Sequence, residues 1–215
     1  MTTRILFILL LLVSLLAGCA RLPALSTSSL QATWQVNQTR LKAIETWRIK
    51  GSIAITSAEE KNWNARVYWQ QEGPVYQLRF NAPLGQGAML LDGNSEQVIM
   101  HTAKNETFVA RNPDTLIVQT TKLDIPVTHL YYWIRGLPAP KPILEQYYLN
   151  EDGYLHSLQQ DGWKIEYLAY SQIEKTNLPK KIYLYNSQFE VNIAISQWEI
   201  EETDLSKAKQ AMKEQ

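Results

Sequence analysis

Cys19 carries the only thiol in this chain of 215 residues. It stands directly behind a short apolar run, residues 5–17, which follows the positively charged Arg4. A basic residue, a short apolar segment and small residues at its end form the layout of a secretory signal peptide. The apolar run is shorter than the roughly 20 residues that a membrane-spanning helix needs. The sequence therefore predicts export, with cleavage directly before Cys19.

The residues around Cys19 resemble the lipobox of bacterial lipoproteins, because Leu-Ala-Gly precedes the cysteine at 16–18. This resemblance implies that diacylglycerol is attached to the thiol, that the signal peptide 1–18 is removed, and that the new amino group is acylated. Each buried CH₂ contributes roughly 0.8 kcal/mol, so three acyl chains would anchor the protein almost permanently. Ala20, rather than Asp, follows the cysteine. In enterobacterial lipoproteins Asp at that place tends to cause retention at the inner membrane, so we expect an outer-membrane location facing the periplasm.

The composition excludes several classes of function. Cleavage would remove one basic residue, Arg4, from 21 basic and 21 acidic residues, which leaves a net charge of about −1. With this balance and no RNA- or DNA-binding motif, we expect no nucleic-acid partner. Because Cys19 would be acylated, disulfides, thiol catalysis and cysteine-ligated zinc are excluded as well.

The sequence offers no arrangement of residues that favours catalysis. His101, His129 and His156 are scattered and do not form an H-E-x-x-H motif. The Gly-Gln-Gly segment at 85–87 is followed by Leu90, so it fails the G-x-G-x-x-G pattern, and no Walker lysine follows. A G-x-S-x-G elbow is missing too. We therefore expect neither enzymatic activity nor a cofactor or metal.

The chain divides into four parts. After the signal peptide, residues 19–28 contain Pro23 and several Ser and Thr, which is typical of a flexible tether, here a lipidated one. Residues 29–200 have the length and patterning of a single domain. The charged tail 201–215 has no convincing apolar stripe, which favours a frayed helix or disorder.

Period-two alternation dominates the domain. Apolar and polar residues alternate from Trp47 to Thr56 and again over 62–70 and 76–81, which predicts consecutive antiparallel hairpins with one apolar face. About eleven strands in two meanders are expected. Since a sheet this long curls, and closure removes exposed edges, we expect a curved antiparallel sheet or barrel with helices over its apolar face. The further strands are predicted at 88–92, 97–102, 106–110, 146–150, 154–160, 163–170, 180–185 and 189–199, and the helices at 29–45, 113–121 and 127–135.

Two features are unusual for a domain of this kind. The seven tryptophans indicate a large apolar face, which either forms an ordinary filled core or encloses a cavity for an apolar ligand. The loop 81–88 has the apolar Leu84 at its apex. Either Leu84 folds back onto the core, or it forms an exposed apolar tip for a membrane or a partner.

Several stretches, taken together with the lipobox, resemble the LolB family. They occur in the family's order and are Trp47-Arg-Ile-Lys-Gly51, Val67-Tyr-Trp-Gln-Gln71, 76–80, Pro83-Leu-Gly-Gln-Gly-Ala88, 126–138, Gln160-Asp-Gly-Trp-Lys-Ile-Glu-Tyr167 and Leu178-Pro179. The stretches Gln-Asp-Gly-Trp and Trp-Ile-Arg-Gly-Leu-Pro carry most of the resemblance.

The resemblance implies an incompletely closed antiparallel β-barrel with a helical lid over a hydrophobic cavity. It implies a non-enzymatic receptor, which takes lipoproteins from the soluble periplasmic carrier LolA, holds their acyl chains and inserts them into the outer membrane without ATP or metal. Its partners would then be LolA, client acyl chains and outer-membrane phospholipid, and we expect a monomer. In the family a leucine on a protruding loop is associated with membrane insertion, and the matching loop here comprises Pro83, Leu84 and Gly85.

The cavity lining is predicted from strand alternation and from the lid segment, because the family's cavity residues lack a sharp motif. The predicted lining residues are Trp47, Ile49, Ile53, Trp63, Val67, Trp69, Leu78, Phe80, Trp133 and Ile134.

Two other functions are compatible with these patterns. A structural or assembly lipoprotein that binds proteins predicts a filled core and no lipid binding. A carrier of a small apolar molecule predicts a cavity without handover from a partner.

Overall fold

One long antiparallel sheet forms the body of the protein. The computed structural model describes residues 27–59, 62–83 and 87–201. Cys19, Leu84 and Gly85 lie outside the described residues, as does the tail from 202. Within those ranges, one helix precedes a group of six strands, and two further helices separate it from a group of five strands, as the sequence predicts.

The helices are α1 (Thr27–Ala43), α2 (Pro113–Thr121) and α3 (Val127–Trp133). The strands are β1 (Thr46–Ser57), β2 (Asn62–Glu72), β3 (Val75–Asn81), β4 (Met89–Gly93), β5 (Val98–Thr102), β6 (Thr107–Ala110), β7 (Gln146–Leu149), β8 (Leu155–Gln160), β9 (Trp163–Ile173), β10 (Thr176–Tyr185) and β11 (Phe189–Ile200). None of the described helices combines the length and the apolar character needed to cross a membrane.

The sheet consists of two meanders, which are joined by the pairing of the first strand, β1, with the last, β11. Its strand order is β6-β5-β4-β3-β2-β1-β11-β10-β9-β8-β7, so each strand pairs with its chain neighbour except at the junction of β1 with β11. The short edge strands β6 and β7, of four residues each, lie at the two ends of this order. Within the described ranges no ladder joins them, which confirms the prediction of an incompletely closed sheet.

The junction of β1 with β11 has an irregularity that depends on a glycine. The register shifts between Lys50 and Gly51, where Ser52 faces Ala194 and Gly51 faces Ile195. A Cβ atom at Gly51 would collide with the backbone carbonyl oxygen of Ala194. The close approach of the two backbones therefore requires glycine at this position.

The apolar face of the sheet is covered by the three helices. Residues of β1 alternate between buried and exposed, with Trp47, Ile49, Ile53 and Ile55 buried. Helix α1 packs one side of its surface against the core through Trp34 and Leu41, and α2 does so through Leu116 and Ile117. Because each element hides only one face, the strands and helices form a single core between them.

Capping and polar contacts fix the helices to their neighbours. The side chain of Asn112 accepts a hydrogen bond from the backbone N–H of Asp114 at 2.8 Å, which caps the N-terminus of α2. The Asp114 carboxylate in turn accepts one from the backbone N–H of Thr128 at 3.0 Å, which joins α2 to α3. On α1, the buried Asn37 donates to the carbonyl oxygen of Gly153 at 2.9 Å.

Some element ends differ from the sequence prediction. Strand β9 continues to Ile173 and β10 begins at Thr176, so the predicted ranges 163–170 and 180–185 were too short. Pro179 lies inside β10, where the register shifts between Pro179 and Lys181 because proline has no N–H for the ladder. The predicted helix 127–135 was too long, since α3 ends at Trp133 and Gly136 turns the chain with φ +77°.

Candidate functional site

The predicted cavity residues all lie on the apolar face of the sheet or on the lid. Nine of the ten are buried, and Trp63 is half-buried. Trp47, Ile49 and Ile53 belong to β1, while Trp63, Val67 and Trp69 belong to β2. Leu78 and Phe80 come from β3, and Trp133 and Ile134 from the end of α3. Their part in holding a ligand stays a prediction.

A cluster of aromatic rings occupies the middle of this face. The centroid of the Trp47 ring lies 5.2 Å from that of Trp69 and 5.6 Å from that of Trp198. Tyr131 of α3 stacks on Trp47 from the lid side, at 6.3 Å with an interplanar angle of 28°. The rings therefore connect β1, β2 and β11 directly to the lid helix, with geometries typical of stable aromatic pairs.

A cavity of about 660 Å³ opens beside this cluster, between α3 and the hairpin of β2 and β3. Its apolar wall includes Trp69, Tyr76, Val127, Tyr131 and Tyr132. Its volume is within the range of small-molecule pockets, and four aromatic side chains give it a continuous apolar wall on one side. The polar residues of its rim are Glu45, Gln71, Asn94, Ser95, Arg111, Asn112 and Thr128.

Arg135 ties the lid to the start of the sheet. Its side chain is buried, and its Nη1 donates to the carbonyl oxygen of Ile44 at 2.7 Å, directly before β1. Its Nε donates to the carbonyl oxygen of Tyr131 at 3.1 Å, and its Cζ lies 4.1 Å from the centroid of the Tyr131 ring. Burial lowers the pKa of Arg135 from its ordinary value. The carbonyl acceptors and the aromatic ring compensate for part of the lost hydration of the guanidinium group.

A buried amide holds the segment that leaves the lid. The Gln160 side-chain oxygen accepts hydrogen bonds from Trp133 Nε1 at 3.0 Å and from the backbone N–H of Ala139 at 2.9 Å. Its nitrogen donates to the carbonyl oxygens of Ala139 and Pro142. One side chain of β8 thereby satisfies four polar groups of the lid and of the segment after it.

Burial raises the pKa of two tyrosines on the apolar side of the sheet, Tyr76 and Tyr167. Burial raises the pKa of Tyr76 to about 12, with a smaller contribution from the charge of Asp114. Burial raises the pKa of Tyr167 above its ordinary value, and its hydroxyl donates to the carbonyl oxygen of Trp133 at 2.9 Å. Both tyrosines therefore stay neutral at physiological pH.

The histidines do not assemble into a site. His129 Nδ1 lies 3.2 Å from an Asp161 carboxylate oxygen, whereas His101 and His156 belong to β5 and β8. The part of the chain that the structure describes contains no group of three or more His, Cys, Asp or Glu residues placed to hold a metal ion.

Several residues of the cavity were missed by the sequence analysis. Tyr76 lies on the same face of β3 as Leu78 and Phe80, so the alternation along this strand could have predicted it as a lining residue. Tyr131 and Tyr132 could not be assigned by alternation, because the face that a helix of seven residues presents depends on its packing.

The chain was compared with known protein families and solved structures. A model of the family described as outer membrane lipoprotein LolB matches residues 45–198. A relative from Ectopseudomonas mendocina named outer-membrane lipoprotein LolB is 35% identical over 191 residues, covering 87% of this chain and 93% of the relative. One of the same name from Nitrosococcus oceani is 36% identical over 194 residues, covering 90% and 96%.

Among solved structures, a LolA superfamily protein from Nitrosomonas europaea superposes with a TM-score of 0.52 at 8% identity. The match covers 79% of this chain and 93% of that chain, and it shows a shared fold. The family model spans most of the folded domain, and both relatives match nearly the whole chain at more than 30% identity. This protein therefore belongs to the LolB family of outer-membrane lipoproteins.

Proposed function

We propose that this protein is a receptor that accepts lipoproteins from the periplasmic carrier LolA and inserts them into the outer membrane. It is anchored through lipid on Cys19 and faces the periplasm. It acts as a monomer, performs no covalent chemistry and uses neither ATP nor metal. Its ligands are the acyl chains of client lipoproteins, which it releases into outer-membrane phospholipid.

The aromatic cavity between α3 and the hairpin of β2 and β3 is the observation that carries this proposal. A groove walled by Trp69, Tyr131 and Tyr132 offers apolar surface to a chain without hydrogen-bonding groups. The cavity adjoins the buried face of the sheet, so displacement of the lid would extend it along β1 and β2. The predicted lining residues on those strands would then contact the acyl chains.

A passive relay explains why no energy source is needed at this step. An acyl chain that passes from one apolar cavity into another is never hydrated, which avoids a cost of about 0.8 kcal/mol for each CH₂. The direction of transfer then depends on the difference in affinity between carrier and receptor. About 1.4 kcal/mol favours the receptor tenfold.

The loop that contains Pro83, Leu84 and Gly85 is proposed to enter the membrane when the client is released. Pro83 is exposed at the end of the described part of this loop. A leucine next to it would add an apolar tip, and such tips on otherwise polar surfaces mark membrane or partner contacts.

Transfer of a labelled lipoprotein tests the proposal. LolA loaded with a radiolabelled lipoprotein is mixed with residues 20–215 of this protein, whose folding is first checked by near-UV circular dichroism. The complexes are then separated, and we expect the label on this protein. Label that remains on LolA would contradict the receptor function and favour a protein-binding scaffold.

A pair of variants connects the transfer to the cavity. Tyr132→Glu places a charge in the cavity wall and should strongly reduce acceptance of the label. Tyr148→Glu makes the same change at an exposed position of the edge strand β7 and should accept the label normally. Equal acceptance by both variants would exclude this cavity as the binding site.

A further inference from the structure

The face of the sheet that points away from the helices carries a groove with a floor of small residues. One residue from each of five neighbouring strands forms a row across this face. In order from β3 to β10, the row is Asn81, Arg66, Ser52, Ala194 and Lys181. Ser52 and Ala194 form the low centre of this row, and the long side chains of Arg66 and Lys181 stand on either side. A depression therefore runs across the middle of the outer face.

Two adjoining cavities, of about 690 and 500 Å³, occupy this depression. Both are lined by the four central residues Ser52, Arg66, Lys181 and Ala194. We call the depression the basic groove and define it by its cations Lys50, Arg66, Lys180 and Lys181 around Ser52 and Ala194. All four cations are exposed.

The charge in the basic groove is of one sign. Neither cavity is lined by an Asp or a Glu, and among the described residues none of the four cations forms an ion pair. The nearest outward carboxylates along the strands are Glu166 and Glu190, on the side of Tyr183 and Tyr185, and Glu199, two residues beyond the β11 partner of Lys50. None of the three lines either cavity. A concave surface with unpaired cations attracts anions, since the local positive potential is concentrated there.

The position of the groove beside the loop 82–88 bears on which anion it could bind. Pro83 and Ala82, at the start of the loop proposed to enter the membrane, line the larger cavity. The groove thus continues directly from that loop along the outer face. A protein whose loop tip enters the bilayer brings the surface next to the tip to the level of the lipid headgroups.

We propose that the basic groove binds the phosphate groups of anionic phospholipids and thereby orients the domain on the membrane during release. This inference rests on the proposed function, because that function places the loop 82–88 at the bilayer. Lys and Arg near an anionic membrane contribute about 1 kcal/mol each, which corresponds to about a fivefold change in the contact equilibrium for each residue.

The test uses the mature, lipidated protein in vesicles. With Cys19 acylated, Asn64→Cys introduces a unique thiol for a fluorophore beside the groove, and Tyr148→Cys provides a distant control site. Energy transfer to an acceptor on the lipid headgroups then reports how close each site lies to the bilayer. Vesicles of phosphatidylcholine are compared with vesicles that also contain phosphatidylglycerol.

We expect phosphatidylglycerol to increase energy transfer at position 64 and to affect position 148 much less. The increase should disappear between about 0.1 M and about 1 M salt, as the Debye length falls from about 10 Å to about 3 Å. Arg66→Gln with Lys181→Gln should reduce the contact equilibrium about 25-fold. Lys42→Gln, with the same change of charge on exposed α1, is the control and should behave as the unchanged protein.

Energy transfer at position 64 that is equal in both kinds of vesicle, or that Lys42→Gln lowers as much as a groove substitution, would overturn the proposal. Groove variants that keep the vesicle signal but accept less lipoprotein from LolA would assign the groove to the carrier and overturn it too. Acceptance from LolA is measured without vesicles. A failure of the proposed function is therefore seen separately from a failure of the groove.

Discussion

At the scale of single residues, Gly51 shows how the fold depends on close backbone contact. It lies at the register shift between β1 and β11. A side chain has no space there, because the carbonyl oxygen of Ala194 is too near. This position joins the two meanders of the sheet, so a change here affects the contact between the two halves of the domain.

Gly51→Ala should therefore destabilise the protein. We expect a loss of about 1–3 kcal/mol in the free energy of unfolding, since an added methyl group forces the backbones apart. Urea denaturation followed by tryptophan fluorescence measures it. Ser52→Ala, at the next position on the exposed face, is the control and should change the value by less than about 0.5 kcal/mol. Equal stability of both variants would contradict the close approach.

Tyr76 predicts how stability depends on alkaline pH. Burial, and to a smaller extent Asp114, raises its pKa from 10.0 to about 12 in the folded protein. Between these values the unfolded chain releases the tyrosine proton and the folded protein retains it, so the stabilising contribution is complete below pH 10 and is lost as the pH rises through 12.

The protein should lose stability when the pH is raised from below 10 to a value between 10 and 12, and Tyr76→Phe should make this loss smaller. Urea unfolding at the two pH values gives the comparison. Tyr148→Phe on the exposed edge strand serves as the matched variant. An alkaline loss of the same size in Tyr76→Phe and in the unchanged protein would show that Tyr76 contributes nothing to it.

The sequence could identify site residues only where a strand fixes their direction. Trp69 and Leu78 were placed on the apolar face because side chains alternate along a strand. Arg135 could not be assigned in this way. It is a charged residue within the apolar segment from Trp133 to Leu137, and that contrast was the only signal that it is buried with carbonyl partners.

At the scale of elements, α3 is held as a lid by polar contacts at its C-terminal end. Arg135 connects that end to Ile44, and Gln160 holds the segment that follows. The rest of the helix contacts the sheet through aromatic and aliphatic side chains such as Val127, Leu130 and Trp133. Hydrogen bonds therefore hold the chain at both ends of α3, through Asp114 with Thr128 at its start and through Arg135 and Gln160 after its end.

Arg135→Lys should loosen this attachment. Lysine keeps the charge but cannot reach both carbonyl oxygens in the geometry of a guanidinium group. We expect a loss of about 1–3 kcal/mol of stability and faster amide hydrogen exchange in α3. Arg111→Lys, at the exposed rim of the same cavity, is the control. Unchanged exchange in α3 of the Arg135 variant would show that the attachment lies elsewhere.

Leu84→Glu separates the two steps of the proposed function. A charge at the loop tip opposes entry into the bilayer, so delivery of a labelled lipoprotein to liposomes should slow. Acceptance from LolA should be unchanged, because the cavity lies next to α3. If acceptance and delivery fall equally, the loop does not act in release.

Most elements were predictable because their determinants are local. The hairpins of β1, β2 and β3 followed from alternation and from short polar turns, and Asn112 with Pro113 marked the start of α2. The ends of β9 and β10 were missed because Pro179 normally interrupts a strand. Here the register shifts around it, and its carbonyl oxygen accepts a hydrogen bond from Trp198 Nε1 of the neighbouring strand β11 at 2.8 Å.

At the scale of the whole molecule, the longest ladders lie in the middle of the sheet and the shortest at its edges. Strands β1 and β11 pair over eleven positions, whereas β5 and β6 pair over four. Amide hydrogen exchange should thus be slowest in β1, β2 and β11 and fastest in β6 and β7. Mass spectrometry of exchanged peptides measures this order, and slower exchange in an edge strand than in β1 would contradict it.

The pairing of the first strand with the last also has a consequence for the order in which the sheet can form. Trp47 pairs with Ile200 and Ser57 with Phe189, so the centre of the sheet is assembled from opposite ends of the domain. Until the last strand is synthesised, β1 has no partner on one of its sides, and the two halves of the sheet cannot be joined. Contacts between residues so distant in sequence form slowly. The topology thus delays completion of the fold until the last strand of the domain is available, so the centre of the sheet is formed late in folding.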